Sequence, residues 1–389
     1  MIKYLKITIL LLAVITQSCI EKYFPDIKDY QTLLVVDGML TSDPSPYTIT
    51  LSLSSPADKP PNMIPYQGAT VVVIDNFGNK EVFNETEPGT YVSSPDGMQG
   101  TAGREYKLSI HTSDGKVYES PFQELKVALG ISTVYAEIES RATEDEYHTL
   151  FGYQFYVDTE TAATDSTYLM WLAKGTYKYR ADFLIRYIYD NRRLSLFPKP
   201  DSLRICYHTD YNNGFFTANL TKLSLPTVTH FPLNYVTTDT RKISLRYSML
   251  VEQYTIDEHA FTFYEQLSDI NTEQGVLYAQ QPYQLKGNMQ NINDQDDVLL
   301  GYFLVAGIDK KRIFVNRPPS DQVEFHYSIC VLDGADYLAY GDIFMSGPSQ
   351  WPLYVTTDSD NRRALPDQRC MDCRLKGGTT EKPDFWVDE

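Results

Sequence analysis

Hydrophobic and polar positions alternate along most of this chain with a period of two. In "YTITLSLSS" Tyr47, Ile49, Leu51 and Leu53 fall on one side, and Thr48, Thr50, Ser52 and Ser54 on the other. That pattern predicts a strand with one buried and one solvated face. "ATVVVIDNFGNKEVF" places two β-rich runs around a turn built from Asp75, Asn76, Gly78 and Asn79, and "REYKLSIHTSDGKVYES" repeats the device around Asp114-Gly115. With "LLVVDGML" before them, residues 30–127 supply short strands at the spacing of a small sandwich, so an immunoglobulin-like domain able to fold alone is expected.

From residue 128 a larger β-rich region follows, to residue 389. "FGYQFYVDT" alternates Phe151, Tyr153, Phe155 and Val157; "KISLRYSMLVEQY" puts Ile243, Leu245, Tyr247, Met249 and Val251 on one face. One clear amphipathic helix is predicted near 256–273. There Thr255 and Glu258 have capping-box spacing, Ala260, Phe263, Tyr264, Leu267 and Ile270 form an apolar stripe, and Gly275 stands at the expected stop. The fold class is therefore mainly β: an N-terminal sandwich, then a larger β-rich domain whose helix covers a sheet face.

The N-terminus changes where this body is placed. In "MIKYLKITILLLAVITQSC" a basic start at Lys3 and Lys6 precedes an apolar core and a small Ser18 directly before Cys19, the order of a secretory signal over residues 1–18. The apolar stretch is shorter than the roughly 20 residues needed to span a bilayer. A cysteine at that point resembles a bacterial lipobox, although Thr16 stands where Leu is usual and Gln17 where Ala or Ser is usual. Cys19 is thus the expected lipidation site, residues 19–29 the anchor linker, and the membrane is reached through acyl chains. The residues after Cys19 give no sign of inner-membrane retention, so the outer membrane is expected, on its periplasmic or its cell-surface side.

Removing residues 1–18 leaves 32 basic against 51 acidic residues, a formal charge of −19. So acidic a body is repelled by phosphates, which makes nucleic acid and anionic headgroups poor partners. Asp294, Asp296 and Asp297 in "NINDQDDVL" lack the central Gly and terminal Glu of a calcium loop and read as an acidic solvated turn. No metal or other cofactor is expected.

Behind the signal four cysteines remain, Cys206, Cys330, Cys370 and Cys373, in a disulfide-permissive compartment. Four cysteines allow three connectivities. The scattered histidines do not complete a zinc site, and Gly377, Gly378 and Pro383 forbid the helix that a redox Cys-x-x-Cys would open. The favoured reading is a staple from Cys206 to Cys370 or Cys373, with Cys330 a free buried thiol on a strand. In the tail, Phe385 and Trp386 are expected to pack as structural anchors behind Pro383. No G-x-S-x-G, H-E-x-x-H, P-loop or dinucleotide fingerprint occurs, and the chain reads as non-catalytic.

Taken in order, "DEHAFTFYEQL", "PYQLKGNMQN", "LLGYFLVAG" and "CMDCRLKGGTTEKPDFW" resemble the successive signatures of an uncharacterised Bacteroidota outer-membrane lipoprotein family, catalogued as domain-of-unknown-function 4249. The resemblance implies an outer-membrane lipoprotein, often encoded beside TonB-dependent receptors, with no catalytic residues to carry over. The function expected is an accessory or substrate-capture subunit of a TonB-dependent transporter. The alternatives are a stand-alone glycan- or peptide-binding module exploiting 30 tyrosines and Trp171, Trp351 and Trp386, or a hydrolase with an unrecognised site.

Overall fold

The computed structural model describes residues 32–54, 64–143, 149–163, 167–211, 214–221, 223–273, 285, 287–294 and 296–388. The signal at 1–18, Cys19, the linker 19–29 and Gly275 lie outside the described residues.

The protein is mainly β. Strands β1 (Leu34–Thr41), β2 (Thr48–Leu53), β3 (Thr70–Asp75), β4 (Lys80–Glu87), β5 (Thr90–Val92), β6 (Glu105–His111) and β7 (Val117–Glu119) are hydrogen-bonded in the order β1-β2-β5-β4-β3-β6-β7. The alternation read from the sequence decides what they bury. Val36, Ile49, Leu51, Val71, Val73, Leu108 and Ile110 all enter one core, and each such side chain contributes about 1.5–3 kcal/mol when fully buried. Turn chemistry sets the register: Asp75 Oδ1 accepts from the N–H groups of Phe77 and Asn79 between β3 and β4.

That core is not made by residues 30–127 alone. Met289, Leu299, Phe303 and Val305 belong to it, and β1 pairs in parallel with a strand from the far end of the chain. The unit expected to fold alone thus shares its core and its sheet with residues roughly 250 positions later in sequence.

The second region contributes β8 (Ile131–Ala142), β9 (Thr149–Thr159), β10 (Tyr168–Arg180), β11 (Ile205–Tyr211), β12 (Phe231–Thr237), β13 (Arg246–Ile256) and β14 (Leu300–Asn316). Strands β11-β10-β13-β14 run on through β14 into β1, giving one continuous sheet, while β8-β9-β12 form a separate sheet packed against it. Phe155, Val157, Leu233 and Val236 from the small sheet meet Trp171, Ala173, Tyr247, Met249 and Val251 from the large one. Ile243 joins the same core, but from a 3-10 turn rather than the predicted strand.

Helix α1 (Glu258–Glu273) covers the opposite face of that sheet, with Ala260, Phe263 and Tyr264 against Met170, Tyr302 and Leu304. Its cap differs from the expected box. Thr255 is still in β13, its hydroxyl accepting the Leu129 N–H, and Asp257 Oδ1 caps the helix by accepting from Ala260 N–H at 2.7 Å. Asp257 can do this because the strand ends only at Ile256, which places the shorter carboxylate where N-cap geometry applies.

A second helix, α2 (Gly334–Asp342), lies in a small C-terminal lobe with a sheet formed by Tyr187–Asp190, Arg193–Leu196, Leu353–Thr357 and Arg363–Ala364. Tyr189, Ile343 and Val355 form the core of the lobe. No described helix is long and apolar enough to cross a membrane.

Candidate functional site

The C-terminal cysteines fasten this lobe to the body. Cys206 on β11 is bonded to Cys373, 167 residues away, and Cys330 is bonded to Cys370. Cys370 and Cys373 therefore have different partners, one from the body and one from the chain leading into α2. The reading of Cys330 as a free thiol on a strand is corrected: it is half-buried, lies in an irregular segment, and is bridged. Asp182 explains the placement. Its Oδ2 accepts the Cys330 N–H at 3.1 Å and pairs with Arg241 at 2.8 Å, while the neighbouring Phe183 N–H donates to Cys370 O. These contacts supply what a partner strand would have given. Asp182, Cys330 and Cys370 come within metal-ligand distance of one another, but the bridge consumes both sulfurs and leaves no thiolate to bind.

The tail divides its two aromatics. Trp386 is 3% exposed, edge-on to Tyr207 at 5.0 Å and to Phe314 at 5.4 Å, and is the anchor. Phe385 stays partly outside, under the Arg312 guanidinium at 3.6 Å, and so covers a cation rather than filling a groove. Lys178 and Lys382 both donate to Asp388, and these hydrogen bonds, with the Lys178 charge behind them, hold its carboxyl below the usual carboxylate range.

Strand β11 links this clasp to a cleft. With a period of two, Cys206, His208 and Asp210 share one face. Cys206 holds the staple; His208 Nδ1 lies 2.7 Å from Gly377 O and its Nε2 lies 2.9 Å from Asp210 Oδ1. Asp210 Oδ2 pairs with Lys242 Nζ at 2.6 Å. Beyond them opens a cavity of about 610 Å³, lined by Asp210, Asn234, Tyr235, Thr237, Lys242 and Tyr247 among others. Tyr247 and the nearby Tyr177 have hydroxyl pKa values raised by burial, then by the Asp210 charge. Both stay protonated. The cleft thus offers hydroxyl, amide and ammonium groups around the Asp210 carboxylate, whose two oxygens face His208 and Lys242.

The acidic turn is structural and only partly solvated. Asp297 takes hydrogen bonds from Tyr118 and Asn291 and pairs with Lys116 at 3.0 Å. The tryptophans are structural as well: Trp171 donates to Gln253 inside the core, and Trp351 donates to Ser346 in the small lobe.

Sequence reading missed α2. Its signal was Asp333, three residues before Asp336, which together form a capping box. The helix buries none of its residues, and Leu338, Phe344 and Met345 are 75, 58 and 79% exposed over the helix and the 3-10 turn that follows it.

The family model described as "Domain of unknown function (DUF4249)" matches residues 20–312, about three quarters of the chain, so the chain belongs to that family. The match ends within β14, and the cysteine clasp at 330–373, α2 and the tail lie beyond it. No curated protein matches.

Proposed function

We propose that this member of the DUF4249 family is a non-catalytic lipoprotein of the Bacteroidota outer membrane, anchored through Cys19. In this reading it serves as an accessory or substrate-capture subunit of a TonB-dependent transporter. The observation that carries the reading is the exposure of Leu338 on a helix capped at Asp333, and of Phe344 and Met345 on the 3-10 turn that follows, in a segment fastened by Cys330–Cys370 to the tail, which Cys206–Cys373 ties to the body. Exposed apolar side chains on a braced segment favour a protein partner, and bracing lowers the ordering cost of docking. The lipobox-like start supports the anchor, and the family's frequent neighbourhood with TonB-dependent receptors supports the identity of the partner.

Affinity purification from gently solubilised membranes tests this. A transporter is expected to co-purify with the native chain and to be lost from Leu338→Glu and Met345→Glu variants whose melting temperature is unchanged. Recovery of the native protein alone would refute it. Metabolic palmitate labelling is expected to mark the chain and to fail for Cys19→Ser.

A second reading, a stand-alone module for a glycan or peptide, is favoured by the polar cleft at Asp210, Lys242 and Tyr247. A glycan array on the intact protein distinguishes it from the first.

A further inference from the structure

One wall of the cleft beside β11 is made of main chain. Leu233, Asn234, Tyr235, Val236 and Thr237 of β12 line it in unbroken succession. Successive side chains of a strand point to opposite faces, so five consecutive residues border one cavity only along the edge of the strand. Leu233 and Val236 turn into the core between the sheets. Tyr235 turns the other way: its ring lies under the Arg141 guanidinium at 3.8 Å, and its hydroxyl donates to Glu139 O and Leu150 O. What Tyr235 presents to the cleft is therefore its backbone.

Strand β12 is an outer strand of the small sheet and pairs with β9 alone. Thr238 N–H donates to Phe151 O at 2.8 Å, and the register continues with Gly152 opposite Thr237, Tyr153 opposite Val236 and Gln154 opposite Tyr235. Bonded and unbonded positions alternate along an antiparallel pair. Val236 thus bonds to β9, while Tyr235 and Thr237 turn their N–H and C=O groups into the cleft. Thr237 O accepts the Thr240 hydroxyl at 3.3 Å. The N–H groups of Tyr235 and Thr237, and Tyr235 O, have no partner among the described residues. Proteins usually blunt such an edge with Pro, charge or a bulge; here Pro232 and the register shift between Gln154 and Tyr156 disturb only the start of β12. Gly175 of β10, Asp210 of β11, Tyr247 of β13 and Lys242 stand across the cavity, so the edge is recessed. A single extended chain reaches it, whereas the neighbouring strands of a second sheet would strike that wall.

We propose that this cleft binds a free oligopeptide of four or five residues, which adds to β12 as a strand through main-chain hydrogen bonds to Tyr235 and Thr237. Five strand residues span about 16 Å, and the cavity of about 610 Å³ lies within the range of small-molecule sites. Alternate side chains of the ligand meet Asp210, Lys242 and Phe216. The proposal rests on the second reading above and deepens it, choosing peptide over glycan; it needs neither the lipid anchor nor a transporter.

The test screens the mature chain against a random library of acetylated, amidated pentapeptides and measures hits by titration calorimetry. Backbone N-methylation along a hit is expected to weaken binding by about tenfold or more at every second residue and little in between. Bound peptide should slow amide exchange at Tyr235 and Thr237 and leave Val236, already bonded to β9, unchanged. Thr237→Pro removes an N–H from the free side of an outer strand, where Pro is tolerated, and should weaken binding by a similar factor at unchanged melting temperature. Absence of peptide binding at about 1 mM, N-methyl losses without a period of two, or exchange slowed only away from β12 would overturn the proposal. Saccharide binding without peptide binding would overturn it and spare the second reading, and absence of both would overturn the two together. Slowing that follows protein concentration alone would give the edge to a second copy of the chain and overturn it as well.

Discussion

Gly175 shows how closely single atoms are fitted here. A Cβ at this position would lie 2.0 Å from the Tyr247 hydroxyl oxygen, which is held in the core beside the cleft. Gly175→Ala is expected to cost about 1–3 kcal/mol in denaturant unfolding, whereas Gly334→Ala, where a Cβ meets nothing within 4 Å, is expected to be neutral or slightly stabilising. Glu252 makes a second residue-scale case. Burial raises its pKa, but Lys174 at 2.9 Å and Lys310 at 3.2 Å outweigh burial, and the net shift is downward. A carboxyl depressed in the folded state gives stability that is present above its unfolded value and lost as pH falls through the acid range. Acid titration of the native protein should therefore show a stability limb below about pH 4.3 that is shallower in Glu252→Gln. Some of this scale is legible in sequence: Gly287 and Gly301 flank short β-rich pieces, where a positive φ or a close backbone approach calls for glycine, and Gly301 has φ +91° while a Cβ on Gly287 would lie 1.5 Å from Gly301 O. Gly175 was not legible, because its constraint comes from a tyrosine on the neighbouring strand.

At the scale of elements the two bridges separate into testable parts. Non-reducing peptide mapping should recover Cys206–Cys373 and Cys330–Cys370 and no peptide joining Cys370 to Cys373. Because the first bridge closes a loop of 167 residues, Cys206→Ser is expected to lower stability by about 2–5 kcal/mol. Cys330→Ser closes off a separation of only 40 residues and should chiefly loosen α2, seen as faster amide exchange there. Removing Trp386 should cost about 3–5 kcal/mol, and Phe385→Ala well under that. The period-two strands and the helix were readable because local pattern dictates them. The partner of Cys330 was not readable, since Asp182 and Phe183, which position it, come from a loop some 150 residues earlier.

For the whole molecule, β14 is the shared member. Its Phe303 and Val305 enter the first core, Tyr302, Leu304 and Ala306 lie under α1, and Ile313 and Val315 reach the core between the sheets. A fragment spanning 32–127 is therefore expected to lack a cooperative thermal transition, measured by calorimetry, despite its convincing strand pattern. The sequence pattern reveals an N-terminal sandwich and a larger β-rich region but not that one late strand completes both, because parallel pairing over such a separation leaves no local mark. That pairing also sets an order of events. During synthesis at about 5–20 residues per second, β1 leaves the ribosome roughly 15–50 s before its neighbour exists. The first strand made is among the last to be satisfied, so a newborn chain must keep an open sheet edge shielded until almost four fifths of it has been built.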